Sequence, residues 1–147
     1  MTPQSTLARL VDATNQHDLE GIVACFAPAY RLTDPVHPAR SFTGNEQVRR
    51  NWAAILQAVP DLRLDLVAHA VSGATIWSEL AMSGTRRDGV AHAMHGVMIF
   101  EVDADVITTG RLFLQPVEAG GPDADGAVAA AVGATATATL QAPPSRS

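Results

Sequence analysis

The chain has 147 residues, of which 47% are hydrophobic, and this length and composition predict one globular domain with a buried core. Fifteen acidic against ten basic residues give a net charge of −5, and the longest basic runs are pairs of arginines, which argues against a nucleic-acid partner. Because no charged segment precedes an apolar one at the amino terminus, and no 18 apolar residues follow one another, we expect neither secretion nor a membrane span, and a cytoplasmic location.

Two short helices are predicted at the start of the chain. Ser5 or Thr6 is expected to cap the first helix. Asp18 is expected to cap the second, and Pro28 to end it. The lone Cys25 falls in the apolar pattern of the second helix, so we expect a buried, unreactive thiol.

The segment after the second helix alternates apolar and polar residues and predicts a short strand. Tyr30, Leu32 and Asp34 then share one face, which places a carboxylate in line with two inward-pointing side chains. His37 follows three residues later. Two interpretations stay open: Asp34 caps the turn before Pro35, or it is a functional acid.

A third helix is expected to begin at Gly44-Asn45 and to end before Pro60. Trp52 lies at the centre of its apolar stripe. A tryptophan in that position is either part of the core or a surface against which a ligand packs.

From Leu62 onward the apolar period changes to two, which predicts four strands over residues 62–71, 74–84, 90–102 and 105–117. Helices followed by an antiparallel meander indicate an α+β fold, with the helices on one face of a curved sheet. Alternation assigns Leu80, Met82, Met98, Leu112 and Leu114 to the apolar face. The opposite face carries Trp77, Glu79, His95, Arg111 and Phe113, with Glu79 and Arg111 expected in one row as an ion pair.

The last part of the chain changes in composition. Residues 119–147 are low in large side chains and predict a flexible tail after a domain over residues 1–118. His92 and His95 would lie on opposite faces of a strand, so no metal site is expected. No phosphate-binding, nucleophile-elbow or paired-cysteine motif is present, so we also expect no cofactor.

Four segments together resemble a known superfamily: the run from Leu19 to Ala27, Thr33-Asp34-Pro35, Phe42-Thr43-Gly44, and the closing strand from Gly110 to Pro116. Over about residues 5 to 117 the chain is similar to nuclear transport factor 2-like proteins, which include SnoaL-like polyketide cyclases and ketosteroid isomerases. The resemblance implies a cone-shaped, strongly bent antiparallel sheet wrapped around three helices, with an apolar cavity inside. It also implies a homodimer formed through the outer face of the sheet.

The resemblance can be carried over position by position. Asp34 matches the position of the catalytic base in ketosteroid isomerases, whereas their two oxyanion-hole positions correspond to Leu10 and Met98. The charged positions of limonene epoxide hydrolases correspond to Leu80, Met82 and Leu112, so the resemblance to SnoaL-like cyclases fits best.

The leading hypothesis is a cofactor-independent enzyme that acts by acid–base chemistry on a small hydrophobic, carbonyl-bearing molecule. Asp34 would be the general base and His37 its proton partner. The alternative is a non-catalytic ligand-binding or structural dimer of the same fold, in which Asp34 is a turn residue. The predicted substrate-binding residues are Tyr30, Trp52, Leu80, Met82, His92, Met98, Leu112 and Leu114.

Overall fold

The computed structural model describes residues 2–134, which form two compact units that divide between Val117 and Glu118. Among the described residues, the first unit contains three α-helices, a one-turn 3-10 helix (Pro38–Arg40) and six strands, and the second contains one α-helix. The elements of the first unit are α1 (Pro3–Asn15), α2 (Leu19–Ala24), β1 (Phe26–Thr33), β2 (Phe42–Thr43), α3 (Asn45–Ala58), β3 (Arg63–Ser72), β4 (Thr75–Thr85), β5 (Ala91–Asp103) and β6 (Val106–Pro116).

The second unit falls where the sequence predicts a flexible tail. Helix α4 (Ala124–Ala131) begins after Asp123, whose side chain accepts a hydrogen bond from the backbone N–H of Gly126. Residues 135–147 of the predicted tail lie outside the described residues, and the flexibility of the segment stays a prediction. None of the helices in residues 2–134 is long and apolar enough to span a membrane.

The first helix starts earlier than predicted. Thr2, rather than Ser5 or Thr6, is the cap: its hydroxyl accepts from the Ser5 N–H, and the Ser5 hydroxyl accepts from the Thr2 N–H. Pro3 occupies the first helical position, where its missing N–H costs nothing, and Thr6 is buried inside the helix. The prediction of Asp18 as the cap of α2 is confirmed, because its carboxylate accepts from the Gly21 N–H at 3.0 Å.

The prediction that Pro28 ends helix α2 is wrong. The helix ends at Ala24, and Pro28 lies within β1, in the part where the pairing of β1 with β6 shifts between Phe26 and Arg31. A proline has no N–H for a regular ladder, so it is tolerated at such an irregularity.

The six strands form one curved sheet in the order β2-β1-β6-β5-β4-β3. The predicted antiparallel meander of the last four strands is confirmed, and so is the α+β class. The sequence analysis did not predict that β1 pairs in parallel with β6 and antiparallel with the two-residue strand β2. This pairing brings Leu32 opposite Gly110 and places β1 between β6 and the edge strand β2.

Polar groups at the end of α1 hold it to β3. The side-chain amide of Asn15 donates to the Leu64 carbonyl at 2.9 Å and accepts from the Leu64 N–H at 2.7 Å. His17 forms a further hydrogen bond with the Leu62 carbonyl at 2.8 Å. Two hydrophobic clusters lie between the helices and the inner face of the sheet, one around Tyr30 and one around Leu80.

The outer face of the sheet carries the predicted residues in a different register. Glu79 lies in a row with Val97 and Phe113, so the predicted ion pair between Glu79 and Arg111 is wrong. The tight turn that pairs Asp103 with Val106 and an irregularity between Glu101 and Val102 together set the register of β5 with β6. This register puts Arg111 in a row with Ile99 and Trp77.

Each of these two charged side chains has another partner. A carboxylate oxygen of Glu79 lies 2.6 Å from Nε2 of His95. The guanidinium carbon of Arg111 lies 5.7 Å from the ring centre of Trp77, which is a cation–π contact.

Candidate functional site

A cavity of about 230 Å³ lies between the helices and the inner face of the sheet. Its walls come from α1, β1, β2, α3 and strands β3 to β6, and nearly all of its lining side chains are apolar. Only Tyr30, Asn51 and Trp52 among the lining residues carry a side-chain nitrogen or oxygen. The side-chain oxygen of Asn51 accepts a hydrogen bond from Gln47, and Asn51 is exposed, so it belongs to the solvent end of the cavity.

Most of the predicted substrate-binding residues line this cavity. They are Tyr30, Trp52, Leu80, Met82, Met98, Leu112 and Leu114. The structure adds residues that the sequence analysis did not assign to the site, among them Phe42, Ile55 and Met94. Ile55 shares the apolar stripe of Trp52, and Met94 shares the face of Met98, so the helical and strand periods contained the signal for both.

Tyr30 is the one phenol of the chain, and it is held firmly in the cavity wall. It is 2% exposed, and the rings of Phe26 and Phe42 meet it edge-on at 4.7 and 6.0 Å between ring centres. Its hydroxyl lies against Gly110, where an added Cβ would come within 2.3 Å of the oxygen. The glycine thus makes the room that the hydroxyl occupies.

The Tyr30 hydroxyl is also chemically unusual. Among residues 2–134 no protein group forms a hydrogen bond with it, although the residue is buried. Burial raises the pKa of Tyr30 well above its usual value, so the side chain stays a neutral phenol at physiological pH. It can therefore donate a hydrogen bond, and it can also accept one.

Asp34, the predicted base, lies at the end of β1 and is 3% exposed. Its Oδ1 accepts from the N–H groups of Val36 at 3.1 Å and His37 at 2.8 Å, which is the turn-capping arrangement. The N–H of Asp34 itself donates to the Ser41 hydroxyl at 2.9 Å. Asp34 is not among the residues that line the cavity, although Leu32, two residues earlier on the same face, does line it.

His37 lies beside Asp34 as the spacing suggested. Its Nδ1 is 3.6 Å from Oδ2 of Asp34, beyond hydrogen-bond distance, and this buried nitrogen has no hydrogen-bond partner among the described residues. The ring as a whole is one-third exposed, with 36% of the side chain accessible. The pair thus lies between the cavity wall and the surface.

His92, the third predicted polar group, lies apart from the cavity lining. It pairs with Gly84 near the end of the β4–β5 hairpin, and its Nε2 is buried and has no partner in residues 2–134. The structure does not bring it together with Asp34 and His37. No group of three histidine, cysteine, aspartate or glutamate side chains in residues 2–134 has the arrangement of a metal site.

The arrangement of helices, sheet and cavity has counterparts among known proteins. A family model described as a SnoaL-like domain matches residues 7–109. The chain belongs to the SnoaL-like domain family. Its fold is that of nuclear transport factor 2-like proteins, the cone-shaped α+β fold that the resemblance implied. Among curated proteins, none matches this SnoaL-like chain.

Several solved structures share the fold. Wild-type IdmH of Streptomyces antibioticus, described as "a putative polyketide cyclase", is 19% identical, with a TM-score of 0.68 over 78% of this chain and 92% of that one. A "putative ketosteroid isomerase" of Kribbella flavida DSM 17836 is 18% identical, with a TM-score of 0.63 over 82% of each chain.

A third structure, of an NTF2-like protein of unknown function from Burkholderia pseudomallei K96243, is 19% identical, with a TM-score of 0.63 over 74% of this chain and 87% of that one. At such identities the likeness establishes the fold of this SnoaL-like chain. Its chemistry has to be argued from its own residues.

Proposed function

We propose that this protein binds a small, mainly apolar molecule in the cavity. The observation that carries the proposal is the cavity itself, a space of about 230 Å³. Several of the side chains that bound it also belong to the hydrophobic cluster around Tyr30. An engineered cavity of about 150 Å³ in another protein is enough to bind benzene. The present volume thus suits a molecule somewhat larger than one aromatic ring.

The energetic cost of such a cavity supports a binding role. A closed residual cavity costs about 24 cal/mol per Å³ in core-truncation series, so the cost of this volume, which has a solvent end, is at most about 5.5 kcal/mol. Even a part of that cost matters against the ~5–15 kcal/mol by which domains are stable. A purely structural domain would gain stability from a leucine-to-aromatic change here, whereas a binding domain needs the space.

The test uses naphthalene as a probe, because it has no polar group and depends on the cavity alone. Binding is measured by calorimetry and by shifts of methyl signals in NMR spectra. Wild-type protein should bind naphthalene, and Leu112→Trp, which fills the cavity, should lower the affinity at least tenfold. Phe113→Trp is the matched control, because it enlarges the next residue of β6 on the outer face. Equal binding by both variants, or no binding by the wild type, would refute the proposal.

A second candidate is the acid–base enzyme, and the Asp34–His37 pair favours it. Oδ1 of Asp34 is occupied by its own turn, but Oδ2 takes no hydrogen bond from a described residue and has only Nδ1 of His37 nearby. In this role Oδ2 of Asp34 removes a proton from the carbon next to a substrate carbonyl, and His37 exchanges that proton with solvent. The substrate would have to reach past Leu32 toward the end of β1.

Proton exchange tests this role directly. In D₂O, the protons next to the carbonyl of 1-tetralone exchange through the enolate, and NMR follows their loss. An acid–base enzyme accelerates this exchange over buffer, and Asp34→Asn abolishes the acceleration while tetralone binding persists. Asn keeps the oxygen that accepts from the turn, so the variant separates chemistry from folding. An exchange rate that Asp34→Asn leaves unchanged excludes Asp34 as the base.

We also propose that the protein is a homodimer formed through the outer face of the sheet. Trp77 is 46% exposed there and Phe113 is 36% exposed, an apolar surface that a second copy would cover. Light scattering should give twice the chain mass. Trp77→Glu should give monomers, and Val36→Glu, an equally drastic change at an exposed loop position, should not. A monomeric wild type would overturn this part.

A further inference from the structure

The polarity of the cavity says more about its ligand than the volume does. Nearly all of the lining is apolar, and among the described lining residues only Tyr30 carries a hydroxyl. No hydrogen bond joins this hydroxyl to residues 2–134, so it is free to bond with a molecule in the cavity, and phenylalanine would fill the same space without offering a polar group. Packing alone therefore does not require the hydroxyl of Tyr30.

The neighbours of Tyr30 hold the hydroxyl in one place. Two edge-on aromatic rings, Phe26 and Phe42, fix the plane of the ring. Gly110, a buried residue of β6, leaves a gap in the row of side chains at the point where the hydroxyl lies, and alanine there would collide with the oxygen. A glycine inside a strand weakens it, so the space is retained for the phenol.

The hydroxyl can donate at any physiological pH. Its neutral form is favoured by burial, and no carboxylate is among the lining residues to accept its proton. The partner that satisfies it is then an oxygen brought in by the ligand. A carbonyl oxygen fits best, because it accepts one hydrogen bond and places no unpaired donor in the apolar wall.

We infer that the ligand is a compact ketone or aldehyde of one or two rings whose carbonyl oxygen accepts a hydrogen bond from Tyr30. The inference rests on the proposed binding function and names its ligand class and the residue that selects it. The volume of about 230 Å³ lies below the ~300–1,000 Å³ of pockets for drug-sized ligands. A four-ring molecule therefore does not fit in the cavity as it stands.

The test compares 1-tetralone with tetralin, which has the same two rings and no carbonyl. For wild type and Tyr30→Phe, the dissociation constant of each probe is measured by calorimetry or NMR. Tyr30→Phe should weaken tetralone binding about 3- to 10-fold, as expected for one net hydrogen bond, and leave tetralin binding unchanged or tighter. Ile55→Val is the matched control: it trims another wall residue and should change both probes by the same factor.

A spectroscopic readout separates a direct contact from a change in packing. The ¹³C signal of a labelled tetralone carbonyl should move downfield on binding to the wild type and much less on binding to Tyr30→Phe. A loss of affinity shared equally by tetralone and tetralin, or equal carbonyl shifts in both proteins, overturns the inference and leaves the binding proposal standing. Failure of the wild type to bind naphthalene, tetralin or tetralone overturns both.

Discussion

Replacing Gly110 by alanine tests the arrangement of the cavity wall most directly, because the structure identifies the atom that the new methyl group meets. A Cβ at this position would lie 2.3 Å from the Tyr30 hydroxyl oxygen. The next neighbours are Cζ of Tyr30 at 3.2 Å and Cδ1 of Phe100 at 3.3 Å. Only the oxygen is too close to be accommodated by a small shift.

The expected magnitude follows from two opposing effects. Overpacking a well-packed site costs about 1–3 kcal/mol. Replacing glycine by alanine returns about 0.4–1 kcal/mol by restricting the unfolded chain. We therefore expect Gly110→Ala to lower the free energy of unfolding by about 1–2 kcal/mol. In a Tyr30→Phe background the oxygen is gone, and the same change should be close to neutral.

The assay is a double-mutant cycle on urea unfolding followed by circular dichroism, with wild type, Gly110→Ala, Tyr30→Phe and the double variant. The coupling free energy should be about 1–2 kcal/mol. Val59→Ala, in the other hydrophobic cluster, is the control and should be additive with Tyr30→Phe. If Gly110→Ala and Tyr30→Phe add to within about 0.4 kcal/mol, the hydroxyl does not occupy the space that the structure assigns to it.

Three further predictions follow from the same contacts. Burial raises the pKa of Tyr30 in the folded protein, so its contribution to the free energy of unfolding is constant below about pH 10. Above about pH 10 the free energy of unfolding should fall by about 1.4 kcal/mol per pH unit, and Tyr30→Phe should lack this slope. Since Tyr30 is the only tyrosine, phenolate absorbance near pH 10 in the folded protein would contradict this. Asp34→Ala leaves the N–H groups of its turn unpaired and should lower the free energy of unfolding by about 1–3 kcal/mol. Asp34→Asn keeps an accepting oxygen and should lower it by less than about 1 kcal/mol. Equal losses for the two variants in urea unfolding would argue against the turn role. Gly96→Ala should cost more than about 3 kcal/mol, because its Cβ would lie 2.1 Å from the backbone oxygen of Phe113, and Tyr30→Phe should not rescue it in thermal melts.

Features that depend on neighbours in the chain were readable from the sequence. The carboxylate of Asp18 caps α2 by accepting from an N–H three residues later in the chain. Helix α3 begins directly after Gly44, as predicted. The apolar face of the four-stranded meander follows from strict alternation. For this reason five of the predicted substrate-binding residues line the cavity from the meander: Leu80, Met82, Met98, Leu112 and Leu114. Tyr30 and Trp52 line it from β1 and α3, as the periods of those segments indicated.

Features that depend on distant segments were not readable. The parallel pairing of β1 with β6 joins segments far apart in the chain, and spacing contains no signal for it. The β6 residue that shares a row with Glu79 depends on the register of the β5–β6 turn and on the irregularity beside it. A shift of one or two residues there changes which side chains meet, because each strand presents alternate faces.

Asp34 and Tyr30 show where sequence and tertiary structure each decide. Alternation placed both on the inner face of β1, and both are buried. The bonds that Oδ1 of Asp34 accepts from Val36 and His37 are local, and the sequence already offered this turn role. Only the tertiary structure placed the Tyr30 hydroxyl against Gly110 of another strand, without a partner in residues 2–134. The sequence by itself determined the elements and their apolar faces, because these follow from local periodicity. Whether a cavity stays open between them, and which polar atom lines it, depends on how the packed faces meet in three dimensions.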